Sequence, residues 1–233
     1  MMTAAAAGWR LLLALLLWVV IGAALGAATI LPARLLAETW AVHHRADLSA
    51  ALIAEAYIAL LAALLLAFGG PRGLRDRLGF RYTSATDIAG ALLVWLAALV
   101  VGAILSAALV PLIGQPQSNA VSLLRQSFDP FFVAVIVPTV CLLAPVCEEL
   151  LFRGALFGWL RRLLPSPAAI VLTAVLFAGA HLLPTLFPVL FVFGLGATWV
   201  RERTGSTLNS FTMHATQNTF AVVATYAFLT QGS

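Results

Sequence analysis

The residues in this sequence best suited to chemistry are Glu148 and Glu149, set in the stretch Pro145-Val-Cys-Glu-Glu-Leu-Leu-Phe-Arg-Gly154. Their surroundings, from Phe131 to Leu160, are almost all Leu, Val, Ala, Phe and Pro. A charge at membrane depth costs at least ~2.5–3.5 kcal/mol, so two carboxylates and Arg153 need a reason to be there. Glu149 and Arg153 are four apart, lie on one helical face and can pair. Glu148 is rotated by roughly 100° from its neighbour and does not share that face. Structure accounts for Glu149. Glu148 is the carboxylate left over.

Two more apolar segments carry polar groups, Phe177-Ala-Gly-Ala-His181 and His214-Ala-Thr-Gln-Asn218. His214 and Asn218 are four apart and project from one face. The helices holding Glu148 and His181 form a hairpin that turns near Leu164 and Pro165. At ~1.5 Å per residue, both side chains lie ~22–25 Å from that turn and are level. The helix of His214 enters from the same side, with Asn218 ~18–20 Å in and His214 about one turn shallower. An isolated intramembrane histidine usually only bridges helices. Four polar side chains from three helices meeting in one layer argue for a site.

The chemistry such a set suggests is hydrolysis. A glutamate in a poorly hydrated pocket is an effective base near neutral pH. A neutral histidine can hold the attacking water with it. A histidine beside an asparagine can donate to a developing oxyanion. The same Glu and His groups could instead ligate zinc, which takes two or three such side chains plus water. The His-Glu-x-x-His pattern is absent, and spacing alone leaves the metal question open.

Glu148-Glu149-x-x-x-Arg153, Phe177-x-x-x-His181 and His214-x-x-x-Asn218, in that order, resemble the three motifs of the CPBP (CAAX protease and bacteriocin-processing, or Abi) intramembrane proteases. Phe152-Arg153-Gly154 and Thr204-Gly205-Ser206 resemble the usual context of those motifs. The resemblance covers about residues 130–225. It implies a glutamate-dependent intramembrane endopeptidase with a helical-bundle fold. By position, Glu148 would be the general base, His181 its partner on the water, and His214 and Asn218 the oxyanion donors. Arg153 would anchor Glu149, and Phe177 would pack around the site. The resemblance implies no cofactor; the alternative is a divalent metal such as zinc, held then by Glu148, His181 and His214. The partners implied are the lipid bilayer and a peptide or protein substrate, with a prenyl group not required.

The elements that must position these residues are long and apolar. The chain has 233 residues, 62% hydrophobic and 9% charged, against about 25% charged in a soluble domain. The expected fold is all-α: a polytopic transmembrane bundle of about seven helices, with six to eight as the range. They are placed near 9–31, 48–68, 87–113, 130–163, 167–184, 186–202 and 206–230. Asp129-Pro130 and Ser166-Pro167 read as helix starts, and Asp87 as the cap of the third helix. Pro138 and Pro145 are expected to kink the fourth. The stretch 182–198, broken by Pro184 and Pro188, is the weakest part of this map. Residues 1–129 read as N-terminal transmembrane helices and 130–230 as the catalytic core.

Alternating the loops across a membrane puts nine arginines on one side (10, 72, 75, 77, 81, 161, 162, 201, 203) and three (34, 45, 125) on the other. That bias predicts a cytoplasmic N-terminus. All thirteen basic residues are arginine, which fits a GC-rich bacterial genome; the expected location is a bacterial inner membrane. The arginines form no stripe, so nucleic acid is not an expected partner. The run Trp9–Leu31 is longer than a signal-peptide core and reads as a retained span. Cys141 and Cys147, six apart on one helix, are expected to stay free. His43 and His44 read as solvated residues of a connector over 34–47. Gly154 and Gly158 read as a close helix contact, and Glu55 as a buried hydrogen-bonding group or part of a cavity. No repeated half is evident, so a proton-coupled transporter gains little support. A non-catalytic membrane scaffold or immunity protein is the remaining alternative.

Overall fold

In lipid the backbone must satisfy its own N–H and C=O groups, so a chain this apolar has helices or a closed barrel open to it. The computed structural model describes residues 2–35, 45–115 and 129–231, and the described residues form helices and no strand. We number them α1 (Ala4–Leu35), α2 (Arg45–Phe68), a short α3 (Gly70–Asp76), α4 (Ala85–Ile113), α5 (Pro130–Leu160), α6 (Ser166–Ala180), α7 (Phe187–Thr204) and α8 (Thr207–Gln231). Ala4–Leu31, Ala46–Phe68, Ala85–Ile113 and Pro130–Leu160 are long and apolar enough to cross a membrane. The protein is a polytopic helical membrane bundle. Leu16, Val19, Leu93, Ile104 and Val223 point outward, where lipid is the only solvent that suits them.

Helix starts follow local chemistry. Asp129 Oδ1 accepts the N–H groups of Phe131 and Phe132, at 2.8 and 3.4 Å, and so caps α5 as expected. The cap of α4 is Ser84 rather than Asp87. Ser84 Oγ accepts from Asp87 N–H at 3.0 Å and donates to Asp87 Oδ2 at 2.8 Å, so the helix begins at Ala85. At α6 the residue before the helix is Pro165, and no side chain caps it. Ser166 is already helical.

Three further expectations change. The α6 helix stops at Ala180, four residues early, because the chain breaks into turns and Leu182 takes a left-handed φ of 55°. Such a conformation is costly for a branched residue. Pro184 lies in that break, and Pro188 occupies the first turn of α7, where a missing N–H costs nothing. The α5 helix is not simply kinked. It is π-helical over Thr139–Leu143 and Leu150–Leu156, with an α-helical turn, Ala144–Glu149, between them. Pro138 ends the first α stretch and Pro145 starts the second. The wider π turn takes up residues that an α ladder broken by proline cannot hold.

Gly154 makes a close approach, but to a loop rather than a helix. A Cβ there would lie 2.9 Å from Leu78 Cβ and 3.2 Å from the Leu78 carbonyl oxygen, whereas one at Gly158 would meet only Arg162, in the turn just past the end of its own helix. Leu78 belongs to the α3–α4 connection, which is clasped to the start of α8. Thr207 N–H donates to Gly79 O at 2.8 Å and Ser206 Oγ donates to Arg81 O at 2.6 Å. Leu11, Leu60, Leu64, Phe68, Cys147 and Leu150 form a core joining α1, α2 and α5. Phe177, Phe193, Val200 and Met213 form another across α6, α7 and α8.

Arginines gather at one end of the bundle: Arg10 donates to Ala67 O, Arg77 to Phe68 O and Arg162 to Met2 O. Both cysteines are free and buried. Glu55 is hydrogen-bonded by Thr29 across α1 and α2, which fits the first of its two readings. His43 and His44 lie outside the described residues.

Candidate active site

The site is built from Glu148 outward. The α turn between the two π stretches presents Glu148 and Glu149 in different directions, and each carboxylate finds separate partners.

Glu149 is fully buried. Its Oε1 accepts from Arg153 Nη1 at 2.8 Å and from His214 Nδ1 at 3.0 Å. Arg153 is fully buried too, and its remaining donors reach Thr198 Oγ1 at 3.3 Å and Gly194 O at 3.4 Å. Its guanidinium also stands 4.2 Å from the centroid of the Phe177 ring, a favourable cation–π placement. Gly194 can offer its carbonyl because α7 runs against α6 there, where a Cβ would lie 3.1 Å from Ala174. Two donors on Glu149 Oε1 and three acceptors around Arg153 hold this pair of charges at depth, while Glu149 Oε2 is buried with no hydrogen-bond partner among the described residues.

Glu148 is mostly buried and has a partner that its sequence context did not disclose. Tyr57 Oη, from α2, donates to Glu148 Oε1 at 2.7 Å. The other oxygen, Oε2, faces His181 Nε2 at 3.9 Å and His214 Nε2 at 3.8 Å, and it has no hydrogen-bond partner among the described residues. Such separations are the ones at which a bridging water is to be considered.

The histidine orientations follow from their other nitrogens. His181 ends α6, and its Nδ1 lies 2.8 Å from Phe177 O. A carbonyl only accepts, so Nδ1 carries the proton and the neutral ring turns a bare Nε2 toward Glu148. His214 Nδ1 meets the Glu149 carboxylate, which only accepts, so this nitrogen also carries a proton and the ring turns its Nε2 toward Glu148. Phe177 sits fully buried between the two, with ring centroids 4.9 Å from His181 and 5.8 Å from His214, both edge-on. It fixes the spacing of both imidazoles.

Asn218 is placed differently. Its Nδ2 donates to Val140 O, at 2.8 Å, in the first π stretch of α5. The structure thus brings Glu148, Glu149, Arg153, Phe177, His181 and His214 into direct contact, and joins Asn218 to the helix that carries the glutamates.

One carboxylate oxygen and two imidazole nitrogens are donors that zinc accepts. Their placing is another matter: among the described residues no group of three or more His, Cys, Asp or Glu is set to hold a metal ion.

No motif or spacing in the sequence links Tyr57 to Glu148. The available signal was its depth. It lies twelve residues from Arg45 and eleven from Phe68 in an apolar helix, whereas membrane tyrosines favour the interfaces.

Residues 130–220 match the family model described as type II CAAX prenyl endopeptidase Rce1-like. Over that segment the chain is similar to the Rce1-like domain. That domain agrees with the CPBP resemblance and contains every residue of the site except Tyr57. No curated protein and no solved structure matches the chain. The Rce1-like domain, set in a multi-pass helical bundle, supports a hydrolase of the intramembrane-protease kind.

Proposed function

We propose that this protein is a glutamate-dependent intramembrane endopeptidase that hydrolyses a peptide bond in or near the membrane. The observation that carries this reading is Glu148 Oε2 facing the Nε2 atoms of His181 and His214, at 3.9 and 3.8 Å.

In the proposed reaction, a water lies between Glu148 Oε2 and His181 Nε2 and donates one hydrogen to each. Glu148 takes a proton as the water oxygen attacks the peptide carbonyl carbon. The C=O electrons move to oxygen, giving a tetrahedral oxyanion. His214, whose Nδ1–H is committed to Glu149, can donate to that oxyanion only through a protonated Nε2. Asn218 Nδ2 would be the second donor, exchanging its bond to Val140 for one to the oxyanion. The intermediate then collapses, the C–N bond breaks, and Glu148 returns its proton to the leaving amine. Glu149 and Arg153 hold the ring of His214, and Phe177 holds both rings.

No step requires a metal. Were zinc present, Glu148, His181 and His214 would be its ligands, and it would polarise the carbonyl or the water. We place residues 1–129 as N-terminal helices and 130–230 as the catalytic core. The protein would lie in a bacterial inner membrane with its N-terminus in the cytoplasm, acting on a peptide or protein.

The test is cleavage of a quenched fluorescent peptide library by purified protein in detergent. Glu148→Gln should lower turnover by at least ~10²–10⁴-fold, and His181→Ala should also lose it, with both variants folded and a chelator without effect. Equal turnover in all three proteins would refute the mechanism. Loss on chelation would show that a metal takes part.

A further inference from the structure

The Rce1-like match begins at residue 130, yet Glu148 is held by a side chain far outside it. Tyr57 Oη donates to Glu148 Oε1 at 2.7 Å, across 91 positions of sequence. A carboxylate has two oxygens, and fixing one aims the other. With Oε1 taken by Tyr57, Oε2 is the atom left facing His181 and His214.

Tyr57 is itself held in place. The backbone around it is bonded from both sides: Cys147 Sγ donates to Tyr57 O at 3.3 Å, and Trp18 Nε1 donates to Ala56 O at 2.9 Å. The first bond comes from the residue preceding Glu148, so α2 and α5 are joined twice at this level. The second fixes α2 against α1. A phenol donating to a carboxylate forms a strong, charge-assisted bond, and in an apolar bundle a lost bond of this kind is not replaced by water.

We propose that Tyr57 is a positioning residue for Glu148, so that the active site is completed by α2 and is not contained in the Rce1-like segment alone. This rests on the proteolytic reading for its catalytic consequence. The hydroxyl selects which carboxylate oxygen faces the histidines and holds the side chain in one rotamer. Without it, Glu148 samples orientations in which neither oxygen meets both Nε2 atoms. Substrate binding is untouched and the chemical step slows.

The experiment uses the full chain in detergent and two readouts. Tyr57→Phe should lower kcat by roughly ten- to a hundredfold with KM within about twofold. Gly158→Ala, whose added Cβ meets nothing nearer than Arg162 Nη1 at 3.7 Å and touches neither Tyr57 nor Glu148, should keep kcat. The second readout is a thermal-unfolding cycle of Tyr57→Phe, Glu148→Ala and the double variant. Tyr57→Phe should lower Tm in the wild-type background and have little further effect once Glu148 is alanine. Additive Tm changes would show that the two side chains are not coupled, and would overturn the proposal whatever the turnover. An unchanged kcat for Tyr57→Phe in an active enzyme would overturn its positioning role. A coupled cycle in a protein that cleaves nothing would refute the proteolytic reading instead, leaving the contact in place.

Discussion

His214 Nδ1 lies 3.0 Å from Glu149 Oε1, and this bond decides which ring nitrogen faces Glu148. Adjacent carboxylates on one helix thereby serve one imidazole from opposite sides. Glu149 holds Nδ1, while Glu148 Oε2 stands 3.8 Å from Nε2. The oxygen that orients His214 also accepts from Arg153. The ion pair suggested by the i, i+4 spacing is therefore part of the support of the site.

Removing one half of that pair should cost more than removing both. Glu149→Gln leaves the Arg153 charge buried without a counter-charge, a situation worth about 3–5 kcal/mol. The double variant Glu149→Gln/Arg153→Met takes the stranded charge away. We expect the single variant to unfold at markedly lower temperature than wild type in detergent, and the double variant to recover part of the loss. Both should be inactive, because His214 loses its ionic anchor. A double variant less stable than the single one would contradict the pairing.

The two histidines should separate when stability and turnover are measured together. His181 Nδ1 bonds only a carbonyl of its own helix among the described residues, and the side chain is 27% exposed. His214 is 7% exposed and supports a buried carboxylate. We predict that His181→Ala changes unfolding by less than ~0.5 kcal/mol, whereas His214→Ala costs ~1–3 kcal/mol through the bond withdrawn from Glu149. Thermal unfolding of the two variants checks this, and the reverse order would mean that His214 is not held by Glu149. Peptide cleavage should fall in both.

Gly154 and Gly158 share a sequence pattern and should differ in tolerance. A Cβ at Gly154 would press on Leu78 at 2.9 Å, while one at Gly158 meets nothing nearer than Arg162 Nη1 at 3.7 Å. Gly154→Ala should cost ~1–3 kcal/mol by overpacking. Gly158→Ala should be neutral, or gain up to ~1 kcal/mol of helix propensity. Unfolding temperatures for the two variants give the comparison, and equal effects would argue against the Leu78 contact.

Much of this arrangement was legible because membrane helices are read by apolar length and by the rarity of charge. Among the described residues seven helices fall near their expected places, four of them long and apolar enough to span, since a 20-residue apolar run has few alternatives in lipid. The Glu149–Arg153 pair follows from a repeat of 3.6 residues. The level placing of Glu148 and His181 follows from the rise per residue, whereas that rise put Asn218 nearer their level than His214, and it is His214 that meets Glu148 while Asn218 bonds Val140 O. Boundaries that depend on one competing hydrogen bond are less legible. Ser84 takes the cap expected of Asp87, and α6 ends at Ala180 where the turn through Leu182 begins.

The sequence by itself determined that the chain is a helical membrane bundle and which polar residues lie within its apolar helices, because composition and helical periodicity are local properties. Only the tertiary structure decided which atoms meet. The π stretches of α5 shift the azimuth of everything beyond them by an amount that no regular period reveals. The rotation of α2 about its axis decides that Tyr57 faces Glu148, and that rotation is set by packing against α1 and α5. Contacts between residues 91 positions apart depend on how whole helices seat against one another, and local sequence does not encode that seating.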